Sequence, residues 1–98
     1  MLTLLEEYPY LYETHLHTSQ GSACGGATGK AMAQACQEAG YTGIIVTDHN
    51  FGGNCAISKN LPWTDWVNGF CLGYEDAKEY GDQNDFDVFF GFTYLFIY

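Results

Sequence analysis

Apolar and polar residues follow two different periods along this chain. Residues 10–17 mix aromatic, apolar and threonine side chains as a strand does. Residues 42–47 form a short, nearly continuous, β-branched run of the kind that parallel sheets bury on both faces. Between them Met32, Ala35, Cys36 and Ala39 recur at helical spacing, with Thr28 placed to cap the start and Gly40 to stop the end. A second helical stripe of Trp66, Val67, Phe70, Tyr74 and Ala77 follows Pro62 and is expected to stop at Gly81. The predicted order is a strand at 8–17, a Gly/Ser/Ala loop at 18–27, a helix at 28–39, a strand at 42–48, a long loop at 49–62, a helix at 63–80 and a strand from 86 to the end. That is a β-α-β-α-β arrangement, of α/β class. Strand–helix–strand units of this length are expected to join parallel strands by right-handed crossovers, which brings the strand C-termini to one edge, where ligands gather in α/β folds.

Composition narrows the picture. With 98 residues, 47% of them hydrophobic and seventeen aromatic (2 Trp, 8 Tyr, 7 Phe), the chain has material for one well-filled core. The net charge of −9, with three lysines and no arginine, argues against a nucleic-acid partner and makes a cation the natural one. No long apolar stretch marks a membrane span and the first residues lack the basic flank of a secretory signal, so a cytoplasmic protein is expected. Four cysteines without close pairing, at 24, 36, 55 and 71, are expected to be free thiols. The final segment, from 87 onward, is apolar with no polar ending. It would leave an unpaired edge, so the chain is expected to be the front part of something longer or to associate with a second copy.

The chemistry-bearing residues fall at the predicted strand ends. His15 and His17, two apart on a strand, would point the same way and could close on one ion, and Asp48-His49 would arrive at the same edge from the next strand. Asp48 could either cap the following turn or orient a histidine. The glycine-rich loop 21–26 could cradle phosphate at a helix N-terminus, although it matches no P-loop and lacks the lysine. Glu75, Asp76, Glu79, Asp82, Asp85 and Asp87 lack EF-hand order and read as a solvated face.

Tyr12-Glu13-Thr14-His15-Leu16-His17-Thr18-Ser19, followed by Gly40-Tyr41-Thr42-Gly43-Ile44-Ile45-Val46-Thr47-Asp48-His49-Asn50, resembles the opening of the PHP (polymerase and histidinol phosphatase) superfamily, most closely its stand-alone bacterial members. Gly73-Tyr74-Glu75 and residues 87–91 extend the resemblance along the chain. It implies that residues 1–98 are a partial PHP domain, the N-terminal β-α-β-α-β portion of a distorted (β/α)7 barrel, incomplete at its C-terminus. The implied activity is metal-dependent phosphoester hydrolysis on a small phosphorylated substrate, using divalent zinc, manganese or iron, with this segment expected to be inactive alone. Carried over residue by residue, His15, His17 and His49 are the implied metal ligands, with Asp48 beside them as catalytic support. Two departures stand out. Where the family places an aspartate or histidine after the first motif, this chain has Ser22 and Ala23, with Cys24 next as an alternative donor. Where the family has a metal-bridging glutamate after Gly91-Phe92, this chain has Thr93, and no histidine follows His49. A non-catalytic metal-binding or self-associating fragment is the alternative.

Overall fold

The computed structural model describes residues 3–50 and 53–92. Its elements in chain order are α1 (Leu4–Glu7), β1 (Tyr12–Leu16), α2 (Gly29–Glu38), β2 (Gly43–Val46), α3 (Trp63–Phe70), α4 (Leu72–Asn84) and β3 (Asp87–Phe90). The three strands form one parallel sheet in the order β1-β2-β3. Leu16 pairs with Val46 and Val46 with Phe90, so all three strands finish together at one edge. The α/β class expected from the alternating periods is therefore present. The last predicted strand is seen as β3, and the expectations for Thr93 and the residues after it lie outside the described residues.

Local chemistry accounts for the element ends. The Thr28 hydroxyl accepts from the Ala31 amide and starts α2, and Gly40, at φ +99°, takes the left-handed turn that ends it. The buried face of α2 is Gly29 and Ala33, with Met32 and Cys36 packed against the core beside them. Ala35 and Ala39, expected on that face, are exposed. A short α1, capped by Thr3, precedes the first strand, so β1 begins at Tyr12 rather than near residue 8.

The helix expected over 63–80 is two helices. α3 ends at Phe70 and α4 begins at Leu72, with Cys71 between them. They share Phe90, through Phe70 and Tyr74, and otherwise serve different neighbours. α3 stacks Trp63 on Trp66 and Trp66 on Phe70, which meets the Phe90 ring edge-on at 5.6 Å, whereas α4 packs Gly73 and Ala77 toward α2 and the sheet. Gly81 does not stop α4. It is buried inside the helix, where a Cβ would strike the Phe86 carbonyl and the Val88 side chain, and the helix runs on to a cap at Asp85 in the left-handed region (φ 53°). The core of Leu16, Ala33, Ile44, Val46, Ala77, Phe86 and Val88 lies between the sheet and the α2/α4 pair. The opposite sheet face is more open: Ile45 is half-buried and Phe89 exposed, so β2 is not buried on both faces as its sequence suggests. Among the described residues no helix is long and apolar enough to cross a membrane.

Candidate metal centre

The shared strand edge is built around one carboxylate. Asp48 is 2% exposed and accepts three hydrogen bonds: from the Thr18 amide (2.6 Å), the Thr18 hydroxyl (2.7 Å) and the Ser22 hydroxyl (2.8 Å). Thr18 and Ser22 are themselves fully buried. Ser22 Oγ in turn accepts from the His49 amide at 2.9 Å. Among the described residues the Asp48 carboxylate accepts from Thr18 and Ser22 and not from a histidine ring. It ties the start of the loop after β1 to the end of β2, and reaches His49 through Ser22. The first residues of α4 press against this hub, since a Cβ at Gly73 would overlap Thr18 Oγ1 and lie 2.9 Å from Asp48 Oδ2. The strand ends are stitched as well, by Thr47 N to Leu16 O (2.8 Å) and Leu16 N to Thr47 Oγ1 (2.9 Å).

Beside the hub lie the histidines. The rings of His17 and His49 are 4.2 Å apart between centroids, and those of His15 and His17 are 4.8 Å apart. The group that can hold a metal ion is His17, Cys24 and His49, whose donor atoms all lie within 4.8 Å of one another. Cys24 Sγ is 3.4 Å from His17 Nδ1, and His17 Nε2 is buried with no hydrogen-bond partner. All four cysteines are free, as their spacing suggested. His15 is exposed and stands outside this group. The register shifts between Glu13 and Leu16, where Thr14 and His15 together oppose the single residue Ile45, so the even alternation that would pair His15 with His17 is interrupted there. His17 lies just past the end of β1, so simple strand alternation does not govern the pair.

Burial pushes the His17 imidazole below the ordinary histidine range, and the neighbouring His49 and His15 push it the same way, while Asp48 pulls it back. A depressed pKa keeps this ring neutral near pH 7, which is the form that donates to a metal. The donor set of two imidazoles and a thiol suits zinc and similar borderline or soft ions.

Other features expected to carry chemistry are absorbed by the fold. The amides that open α2 are already satisfied: Gly29 N donates to Gln20 Oε1, Lys30 N to Asp76 Oδ2 and Ala31 N to Thr28 Oγ1. That helix start has no amide left to cradle a phosphate. The acidic row is not merely a solvated face either. Asp76 joins α4 to α2 and Gln20, Asp87 accepts from the Tyr12 hydroxyl at 2.6 Å, and Asp82 pairs with Lys78.

No protein-family model matches this chain, and no curated protein or solved structure is significantly similar to it.

Proposed function

We propose that this chain contributes the first two metal-binding segments of a PHP-type, metal-dependent phosphoesterase acting on a small phosphorylated substrate. The observation that carries this reading is the meeting of His17 and His49, ring centroids 4.2 Å apart, where β1 and β2 end at one edge of a parallel sheet. His17 and His49 would hold the ion, with His15 one ring further out. A divalent ion held there would lower the pKa of a coordinated water and offset charge on phosphoryl oxygens. The chain's own contribution is to present the neutral His17 imidazole beside His49 on a backbone fixed by Asp48 and Ser22. It offers no guanidinium clamp for phosphate. The ion would supply positive charge at the substrate.

The test is phosphate release from a small phosphomonoester such as p-nitrophenyl phosphate by the full-length protein that carries this segment, with zinc, manganese or iron added. Hydrolysis that requires metal and disappears in His17→Ala is the expected result. Hydrolysis that survives excess chelator, or survives His17→Ala, overturns the reading.

A second reading, a metal-binding segment without catalysis, is favoured by one observation. Among the described residues no carboxylate belongs to the ligand group, because Asp48 is committed to Thr18 and Ser22. Tight metal binding without any hydrolysis in the same assay would select it.

A further inference from the structure

We propose that Cys24 is the third protein ligand of this centre, making it a mononuclear His2Cys site selective for thiophilic ions over manganese and magnesium. The proposal rests on the reading of the strand edge as a metal site, and concerns which ions that site accepts.

Spacing is the first support. Tetrahedral zinc with bonds of about 2.1 Å to nitrogen and 2.3 Å to sulfur sets its nitrogen and sulfur donors about 3.6 Å apart. Cys24 Sγ lies 3.4 Å from His17 Nδ1, and His49 completes a group spanning no more than 4.8 Å. The Cys24–His17 pair is already near the separation that one ion would impose, and His49 needs to move by only about an ångström to join it.

Loop anchoring is the second. Cys24 is exposed, yet the backbone on either side of it is held: Ala23 N donates to Asn54 O at 2.8 Å and Gly25 N to Ser22 O at 3.0 Å. Ser22 also bridges to Cys55 and hangs from Asp48, so the loop is tied to both flanking segments. Gly25 sits so close to the Thr18 carbonyl that any Cβ would overlap it, and glycine is what lets the loop fold back over the strand end. The thiol is thereby delivered to His17 by fixed backbone and not by a free side chain.

Charge is the third. Two ions close together need an anionic oxygen between them, and among the described residues the group contains none. Its one donor that becomes anionic on binding is the Cys24 thiol, whose proton leaves to solvent as the sulfur–metal bond forms. Thiolate with imidazole selects zinc and cobalt, whereas manganese and magnesium prefer oxygen. His15, which the sequence motif makes a ligand, becomes dispensable for this ion.

The deciding experiment is cobalt(II) titration of the reduced 98-residue chain, followed by absorption spectroscopy. One equivalent should bind with both tetrahedral d–d bands and a sulfur-to-cobalt charge-transfer band. Cys24→Ser should lose the charge-transfer band and weaken zinc binding at least about tenfold, while His15→Ala keeps band and stoichiometry. A charge-transfer band that persists in Cys24→Ser, or d–d bands without charge transfer in the parent chain, overturns the Cys24 assignment and leaves the metal site standing. No cobalt binding at all overturns both. Because the Cys24 side chain is exposed, circular dichroism of Cys24→Ser should match the parent. A Cys24→Ala chain with the same spectrum as Cys24→Ser excludes a serine oxygen ligand.

Discussion

Two polar clusters share the strand edge and differ in how far they satisfy themselves. Around Asp48 the donors of Thr18 and Ser22 meet the carboxylate oxygens in three short hydrogen bonds, all of them buried. One ring away, His17 meets the Cys24 thiol at Nδ1, and its buried Nε2 has no hydrogen-bond partner among the described residues. A closed buried network stabilises and specifies a fold, whereas donors outside such a network stay available to a ligand. The difference separates a carboxylate that holds the site together from donors that can take a ligand, even though Asp48 and His49 are adjacent in sequence.

The largest test of that contrast is Asp48→Ala. It strands the Thr18 amide, the Thr18 hydroxyl and the Ser22 hydroxyl in a buried setting, and should lower unfolding free energy by about 3–5 kcal/mol in urea denaturation. Asp48→Asn, which keeps the shape and one acceptor oxygen, should lose less. If Asp48→Ala were as stable as the parent, the carboxylate would not be the structural hub, and a direct part in chemistry would return to it.

Gly73→Ala probes the same hub from the helix side. Its new methyl meets Thr18 Oγ1 and crowds Asp48, so α4 must shift, at about 1–3 kcal/mol by thermal or chemical denaturation. Zinc affinity should fall with it, since the loop that carries Cys24 hangs from the same residues.

The smallest effect is the pH response of the metal-free chain, which reads the open cluster alone. The folded-state pKa of His17 lies below the ordinary value of 6.5, so the unfolded chain takes up the proton first as the pH drops. Stability is therefore whole above pH 6.5 and declines as the pH falls through that value toward the depressed folded pKa. His17→Ala should flatten this part of the profile, measured by urea midpoints across the pH range. A parent chain that grows more stable on acidification through the same window would contradict the depressed imidazole.

Much of the architecture was legible in local pattern. The Thr28 cap, the Gly40 turn, the apolar run of β2 and the parallel β-α-β connections all depend on residues within a few positions of one another, or on chain handedness and length. Legibility failed where distant segments compete for the same stretch. The aromatic stripe from Trp63 to Ala77 reads as one helix, but the helix divides at Cys71, with Phe70 before the break and Tyr74 after it both against Phe90 and Ala77 in the core. Gly81 looks like a stop because glycine ends helices, yet here its missing side chain lets β3 fold back against α4. Similarly, the His15-x-His17 spacing suggests a matched pair, but a bulge opposite Ile45 interrupts the strand between them and His15 stands outside the donor group.

By itself, then, the sequence determined which residues end up at the functional edge: hydrophobic period sets the strands, and strand ends carry whatever the chain places just after them, here His17 and Asp48-His49. Which of those residues act together was decided only in three dimensions. Asp48 became the hub through Thr18 and Ser22, some thirty residues away, and Cys24 reached His17 because the loop 18–25 is pinned to Asn54 and Asp48. Such partnerships arise from loop closure across the sheet edge, and local propensity carries no information about which distant groups a folded loop will meet.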